Sequence, residues 1–494
     1  MSTPRPAAVI VLAAGEGTRM KSSTPKVLHR IGGLTLVGHA IRAARETGAD
    51  HVGVVVRHER DRVVEQCTAL DAGLVIADQD DVKGTGRAVE CGLLALPSDI
   101  EGTVLVTYGD VPLLTGETLV ELTVAHLETG SAVSVVTAHL SDPTGYGRVV
   151  RDAEGRVERI VEHKDASDDE RSITEINSGI YAFDAQVLRD ALAQVGTNNA
   201  QGEKYLTDVI SIARDAGRPV RAHVIADRLQ TEGVNDRVQL AELGRELNRR
   251  VCERHMRAGV TIVDPATTWI DVDVSIGQDA TILPGTQLLG ATSIGAEAQV
   301  GPEVTLTDTE VGEGASVTRA VAVLAVIGPG ATVGPYSYLR PGTLLGARGK
   351  VGGFVETKNA DIGEGAKVPH LTYAGDVTIG AGANIGAGTI FANYDGVAKH
   401  HSIIGSHSFV GSNSVVIGPV DVADGAYVAA GSTLTQDVEP GEIAVARARQ
   451  RNVGGWVGRA RRGTATAAAA VAAEEAGERH PPRDATTTAE GDRQ

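Results

Sequence analysis

Two strings carry the side chains best suited to chemistry. The first is Leu12-Ala13-Ala14-Gly15-Glu16-Gly17-Thr18-Arg19-Met20, followed by Pro25-Lys26. An apolar run, Val9 to Leu12, leads into glycines that let a ligand approach the backbone, and two cations stand just beyond. Such a loop suits a polyphosphate. It is not a Walker A loop, because Gly-x-x-x-x-Gly-Lys is absent, and not a dinucleotide fingerprint, because Met20 stands where the third glycine belongs. Tyr108-Gly109-Asp110 closes another apolar run, Val104 to Thr107, and the carboxyl ends of parallel strands are where α/β sites assemble. The second string, Val368-Pro369-His370-Leu371-Thr372-Tyr373, holds an imidazole suited to accept a proton near neutral pH. Asn384-Ile385-Gly386-Ala387-Gly388 and Phe391-Ala392-Asn393-Tyr394-Asp395-Gly396 follow it, with a polar stretch to His401. His400, His401 and His407 lack a metal-ligand spacing and read as surface histidines.

The elements that must position these groups differ between the two halves. Residues 1–237 alternate apolar runs (Val9–Leu12, Val52–Val56, Leu74–Ala77, Val104–Thr107, Val133–Thr137) with helical stretches, the pattern of a parallel sheet covered on both faces. Residues 238–258 read as one linker helix, its apolar stripe running through Leu240, Leu243, Leu247 and Val251. Residues 259–458 keep a six-residue beat: Ile276, Ile282, Leu288, Ile294, Val300, Leu306, then Ile327, Val333, Leu339, Leu345, Val351, and finally Ile404, Val410, Val416, Val422, Val428, Leu434. That period fits neither a helix nor a lone strand. It fits a solenoid whose coils have three flat sides, one aliphatic pointing inward from each. The polar stretch ending at His401 cannot sit inside such a column and must loop out. Residues 459–494 hold almost no large apolar groups, so the composition predicts a disordered tail.

With 494 residues the chain has room for two or three domains. A net charge of -17 argues against a nucleic-acid partner, although local cations can still hold a small anion. Aromatic content of 3% suits narrow coils filled with small aliphatics. Cys67, Cys91 and Cys252 are scattered, which fits reduced thiols in the cytosol. The apolar run from Ala7 to Ala14 is too short for a signal peptide, and no stretch reaches the ~18–20 apolar residues that span a bilayer.

The hexad array resembles the hexapeptide-repeat proteins, which implies a left-handed parallel β-helix. The string L-A-A-G-x-G-T-R-M with P-K resembles the sugar-phosphate nucleotidyltransferases, which have a Rossmann-like mixed sheet. Together with the second string, residues 7–457 resemble the bifunctional uridyltransferase–acetyltransferase family that makes UDP-N-acetylglucosamine for bacterial cell-wall polysaccharides. The resemblance implies two reactions. Acetyl-CoA acetylates glucosamine 1-phosphate, and the product takes a uridylyl group from UTP with Mg2+.

It also implies roles. Leu12, Ala13, Ala14, Gly15, Arg19 and Lys26 would serve the triphosphate, with Arg19 and Lys26 catalytic. Asp110 and Asn235 would hold Mg2+, beside Tyr108 and Gly109. Gln79, Gly84 and Thr85 would read uracil, and Gly147, Glu162 and Asn177 the sugar. His370 would be the general base, with Arg340, Lys358, Tyr373 and Asn384 on glucosamine 1-phosphate. Ala387, Asn393, Tyr394, Ser412 and Ala430 would hold acetyl-CoA. One of Arg447, Arg449 and Arg451 would also touch CoA, and Trp456 would reach a neighbouring subunit of a homotrimer. Two other readings stay open: a sugar nucleotidyltransferase whose β-helix only regulates or oligomerises, and a non-catalytic structural subunit. His370, Lys358, Tyr373 and Asn393-Tyr394 speak against the first; Arg19, Lys26, Asp110 and Asn235 speak against the second.

Overall fold

The computed structural model describes residues 4–199 and 201–477. The first half is a nine-stranded mixed sheet. Its main path runs Val220–Val224, Val133–His139, Glu175–Asp184, Thr103–Tyr108, Ala8–Leu12, His51–Val56, Val75–Asp78. The run Val9 to Leu12 pairs in parallel with both His51–Val56 and Thr103–Tyr108, so it lies at the centre. Its alternation feeds two layers. Ile10 and Leu12 pack into the core on one face, Val9 and Val11 into the core on the other. The sheet departs from the all-parallel pattern at Glu175–Asp184, which is antiparallel to both neighbours. Apolar runs covered on both faces read alike in either direction, so composition does not reveal that reversal.

The linker helix spans Arg237–Arg257. Asp236 caps it by accepting from the Val238 and Gln239 N–H groups, both at 2.9 Å. Leu243 and Val251 are buried, and Leu240 and Leu247 pack partly, as the stripe predicts. Asn248 ties the helix to the next domain: it donates to the Thr268 carbonyl (2.7 Å) and accepts from the Ile270 N–H (2.9 Å).

From Thr261 to Ala444, strands of two to seven residues stack in parallel coils. The hexad aliphatics face inward and pair rung to rung, as in Ile282 with Val300 and Val300 with Val317. They form one continuous column, each inward Val or Ile contributing roughly 1.5–3 kcal/mol by leaving water. Val410 pairs with Val428, 18 positions on, whereas Ile379 pairs with Ile404, 25 positions on. The surplus is the excursion through Asn393–His400, where Val397 is 91% exposed.

Composition predicts disorder for 459–494. Through Gly477 the structure has helices at Trp456–Ala460 and Ala465–Glu475. Alanine propensity and a Thr464 cap, which accepts from the Ala467 N–H, account for the second helix. It buries no residue. The remainder of that segment, 478–494, lies outside the described residues. Among the described residues, no helix is long and apolar enough to cross a membrane.

Candidate active sites

The first site forms at the carboxyl ends of the central strands. Leu12 ends its strand, and Gly109 N–H returns to the Leu12 carbonyl at 2.8 Å, so the glycine loop and Tyr108-Gly109-Asp110 meet. Gly17 takes a left-handed φ of 63°, and a Cβ there would collide with Lys26. The loop therefore folds back over the lysine it precedes. Lys26 reaches the Asp110 carboxylate in an ion pair, both side chains largely shielded from water. Arg19 donates to the Asn235 side-chain oxygen at 2.7 Å, across 216 positions of chain. Val234 N–H donates to the Asp110 carbonyl (2.9 Å), which holds Asn235 beside Asp110.

Two cavities open from this point. One, of about 430 Å³, is lined by Leu12, Ala13, Ala14, Gly15 and Lys26 on one side and by Gln79, Gly84 and Thr85 on the other. The Gln79 amide donates to the Val82 and Gly84 carbonyls, at 3.0 and 3.3 Å, which presents its oxygen as the remaining recognition group. The other, of about 300 Å³, is lined by Gly147, Glu162, Asn177 and Asn235. Tyr108 and Asp110 border both. Asn177 reaches the second cavity through a break in strand register between it and Tyr181. Gly179 permits that break, since its φ is 80° and a Cβ would collide with the Tyr108 ring. Asn177 is held by the Gly179 N–H (2.9 Å) and the Tyr181 hydroxyl (2.8 Å). Burial, with the charges of Asp165 and Asp208, pushes the Glu162 carboxyl above its usual range.

Sequence reasoning passed over Arg57, Lys83 and Glu203, which also line the larger cavity. Arg57 follows the strand His51–Val56 directly, at the same carboxyl edge as Asp110, and that was the readable signal.

The second site is a corner of the β-helix. His370 ends the strand Lys367–His370 on one face, and Tyr373 begins the strand Tyr373–Ile379 on the next. Leu371, at φ 51°, turns between them. His370, Ala387, Ser412 and Ala430 each stand two residues past an inward aliphatic: Val368, Ile385, Val410 and Val428. Ile385 pairs with Val410, and Val410 with Val428. Gly388 N–H donates to the His370 carbonyl (3.2 Å), Asn413 N–H to Ala387 (2.7 Å), and Gly431 N–H to Ser412 (2.8 Å). One corner column thus descends from an exposed imidazole through three small side chains. Arg447 stands at its foot, with its Cδ 3.8 Å from where a Gly431 Cβ would lie.

Arg340 pairs with Glu356 at 2.9 Å, and Lys358 lies one rung from Gly375 in the next coil. Asn384 lies in register with Lys367 and Phe409. Asn393 donates to Asp376, which also accepts from Asn359 at 2.9 Å. Tyr394 closes the excursion by donating to the Gly396 carbonyl at 2.7 Å. Lys399, set aside in sequence as part of a polar loop, comes back beside Lys358, whose hydrogen bond and charge push the Lys399 pKa down. Trp456 carries Arg461 over its ring at 5.1 Å. His400 pairs with Asp395 (2.7 Å) and His401 bonds Thr378 (2.9 Å). No group of three or more His, Cys, Asp or Glu able to hold a metal occurs among the described residues.

Comparison with known proteins agrees with both halves. Residues 9–175 match the MobA-like NTP transferase domain family, and residues 401–436 match the bacterial transferase hexapeptide family, whose model holds six repeats. Two relatives named "Bifunctional protein GlmU" cover nearly the whole chain. That of Paenarthrobacter aurescens is 58% identical over 472 residues, 95% of either chain. That of Corynebacterium efficiens is 58% identical over 471 residues, 94% of this chain and 97% of its own. At that identity and coverage, with an NTP-transferase sheet and a left-handed hexapeptide β-helix in one chain, the protein belongs to the bifunctional GlmU family.

Proposed function

We propose that the sheet-end site joins UTP to N-acetylglucosamine 1-phosphate, and that the β-helix corner makes that sugar phosphate by acetylating glucosamine 1-phosphate. The observation that carries the first assignment is the meeting of two cavities at Asp110. A nucleotide in the larger and a sugar in the smaller bring their phosphates together there. The sugar 1-phosphate oxygen attacks the α-phosphorus of UTP, the P–O bond to the β-phosphate breaks, and pyrophosphate leaves. Two polyanions must approach, so positioned cations dominate the catalysis. Arg19 and Lys26 supply them from the glycine loop. Gln79, Gly84 and Thr85 take the uracil edge, and Gly147, Glu162 and Asn177 the sugar.

The donor set fits Mg2+. Asp110 and Asn235 offer a carboxylate and an amide oxygen, hard ligands held side by side, each already facing a cationic side chain. Those two protein oxygens would leave the rest of a Mg2+ shell to waters and substrate oxygens. When bound, Mg2+ would supply further neutralisation of the phosphate charge.

At the corner, His370 takes a proton from the sugar amine as its nitrogen attacks the thioester carbonyl. The C–S bond breaks, and coenzyme A leaves as the thiol once protonated. The corner column of Ala387, Ser412 and Ala430 leaves an extended thioester arm room to lie along the rungs, with Asn393 and Tyr394 beside it and Arg447 at the phosphate end. Arg340, Lys358 and Lys399 offer three cations to the sugar phosphate, with Tyr373 and Asn384 on the sugar.

The assembly is a homotrimer. Tyr336, Phe354 and Leu371 form an exposed apolar ridge beside His370, each about 60% exposed in the single chain, with Tyr336 and Phe354 stacked at 5.2 Å. A ridge of that kind calls for a protein partner, and the family resemblance supplies the number three. UTP and acetyl-CoA as co-substrates assign the work to the cytosol.

One incubation tests the pair of activities: glucosamine 1-phosphate, acetyl-CoA, UTP and Mg2+, with mass detection. N-acetylglucosamine 1-phosphate should form without UTP, and UDP-N-acetylglucosamine only with it. Uridylylation of supplied N-acetylglucosamine 1-phosphate without any acetylation would favour a β-helix that only assembles or regulates. Sedimentation at micromolar concentration should give three chains, and a monomer would refute the assembly.

A further inference from the structure

Behind the smaller cavity of the first site lies a buried cation without a paired carboxylate among the described residues. Arg148 opens the strand Arg148–Arg151 and is 1% exposed. Burial lowers its pKa from the ordinary guanidinium range; Asp142 attracts it from a distance and Arg171 repels it. Its Nε has no hydrogen-bond partner among the described residues. A methionine would fill much of the same space without losing hydration, so packing alone gives no reason for a guanidinium here.

The reason lies in the fork of donors. Nη1 donates to the Tyr146 carbonyl. Nη2 lies 3.4 Å from the Arg171 carbonyl and 3.4 Å from His163 Nδ1. Those acceptors belong to three separate segments: the turn 143–147, the residue after Glu162, and the end of the short helix Asp168–Arg171. Only a planar group with several donors bridges all three. The turn needs such a hold. Asp142, Thr144 and Gly145 are exposed, and the other backbone ties of the turn are Tyr146 N–H to Pro143 (3.2 Å) and Asn177 N–H to Gly147 (2.9 Å). Tyr146 and Gly147 line the cavity. A Cβ on Gly147 would lie 3.4 Å from the Asn177 Cβ and 3.6 Å from Glu162 Oε1. A small outward movement of the turn would therefore open the pocket between these three residues.

We propose that Arg148 is a positioning residue for uridylyl transfer: from behind the pocket, its guanidinium clamps the Tyr146–Gly147 turn against Glu162 and Asn177. It never meets the ligand, being sealed behind the strand. The role rests on reading that cavity as the sugar 1-phosphate site.

The test uses the full chain with Arg148→Met, Arg148→Lys and, as a pocket control, Glu162→Gln. Uridylyl transfer is measured with each substrate varied, and acetyl transfer with melting temperature reports the fold. Arg148→Met should raise KM for N-acetylglucosamine 1-phosphate about tenfold or more and leave KM for UTP within about twofold. Acetyl transfer should be unchanged. Arg148→Lys, which keeps charge but not the fork, should fall between Met and the parent. It carries the test, with at least about a threefold rise expected, if the Met variant does not accumulate folded. A sugar-phosphate KM unchanged in a folded variant overturns the role. So does a parallel rise in both KM values with a lowered melting temperature, which is what plain structural damage produces. An unchanged KM in Glu162→Gln overturns the pocket's reading itself, and the role of Arg148 with it.

Discussion

The sheet-end site and the β-helix corner, each proposed to hold an anionic sugar, are built by opposite means. At the sheet end, Arg19, Lys26, Asp110 and Asn235 come from three segments, the outer two 216 positions apart, and close on one another within a single chain. At the corner, His370, Ala387, Ser412 and Ala430 recur rung by rung on an exposed edge, next to an apolar ridge that a single chain leaves bare. A sheet's carboxyl edge is a convergence point, because several loops end there. A solenoid edge is a line. It can only offer a row of groups, and another surface must supply the opposite wall. The first site should therefore be self-sufficient and the second should depend on assembly.

The sharpest way to break that contrast is to disable each site alone. Asp110→Ala should cut uridylyl transfer by about a thousandfold or more, because the proposed metal ligand and the partner of Lys26 go together. Acetyl transfer should stay within about twofold. His370→Ala should do the reverse, with uridylylation of supplied N-acetylglucosamine 1-phosphate intact. Separate assays on the folded variants decide it, and joint loss in either would mean the halves are not independent.

A smaller effect tests the corner's row of cations. Lys399→Ala should raise KM for glucosamine 1-phosphate about tenfold, the loss of one charge-assisted phosphate contact. KM for acetyl-CoA should move less than about twofold. An unchanged sugar-phosphate KM would leave Lys399 as a loop residue that merely passes Lys358.

Lys399 also marks where sequence reading stops. The period-six beat exposes the solenoid, because inward aliphatics repeat at fixed spacing and every coil obeys them. The glycine loop and Asp110 are legible because strand ends are predictable from apolar runs. Lys399 is not, since an excursion has no period and its return path is set by tertiary contacts. The antiparallel strand Glu175–Asp184 is hidden for another reason: buried strands carry no mark of direction. Asn177 enters its cavity only through the register break at Gly179, which a period-2 reading would place on the wrong face. In the tail, composition and propensity point different ways: alanines that bury nothing still favour helix, while the rule for disorder weighs burial only.

Glu162 separates stability from function within the first site. Its folded-state carboxyl titrates above the unfolded one, burial being the main cause. The folded chain therefore loses stability as pH rises through the folded value, where the unfolded chain is already ionised. Glu162→Gln removes that loss. Its melting temperature at pH 7–8 should exceed the parent's by about one to a few degrees, with the gap closing as pH falls below the ordinary carboxylate range. Melting curves at both ends of that range check the sign. Glu162 also has a hydrogen bond with Thr207 that favours its ionised form, and a variant less stable at neutral pH would show that this bond outweighs burial.

The smallest effect is expected from the tail, and it tests whether the corner depends on chain beyond its own rungs. Helix Ala465–Glu475 buries no side chain, its alanines give it no apolar stripe, and Trp456 lies half-exposed under Arg461. Nothing in that geometry closes on His370 within the same chain. Truncation after Gly458, which keeps Trp456, should therefore leave both activities within about threefold, under 1 kcal/mol in barrier. Truncation before Arg447 removes the cation at the foot of the Ala387–Ser412–Ala430 column. It should raise KM for acetyl-CoA while uridylyl transfer holds. If the longer truncation product instead loses acetylation heavily, the alanine helix or its flanking arginines must reach the corner of a neighbouring chain. The opposite wall that a line of rungs requires would then come partly from the tail.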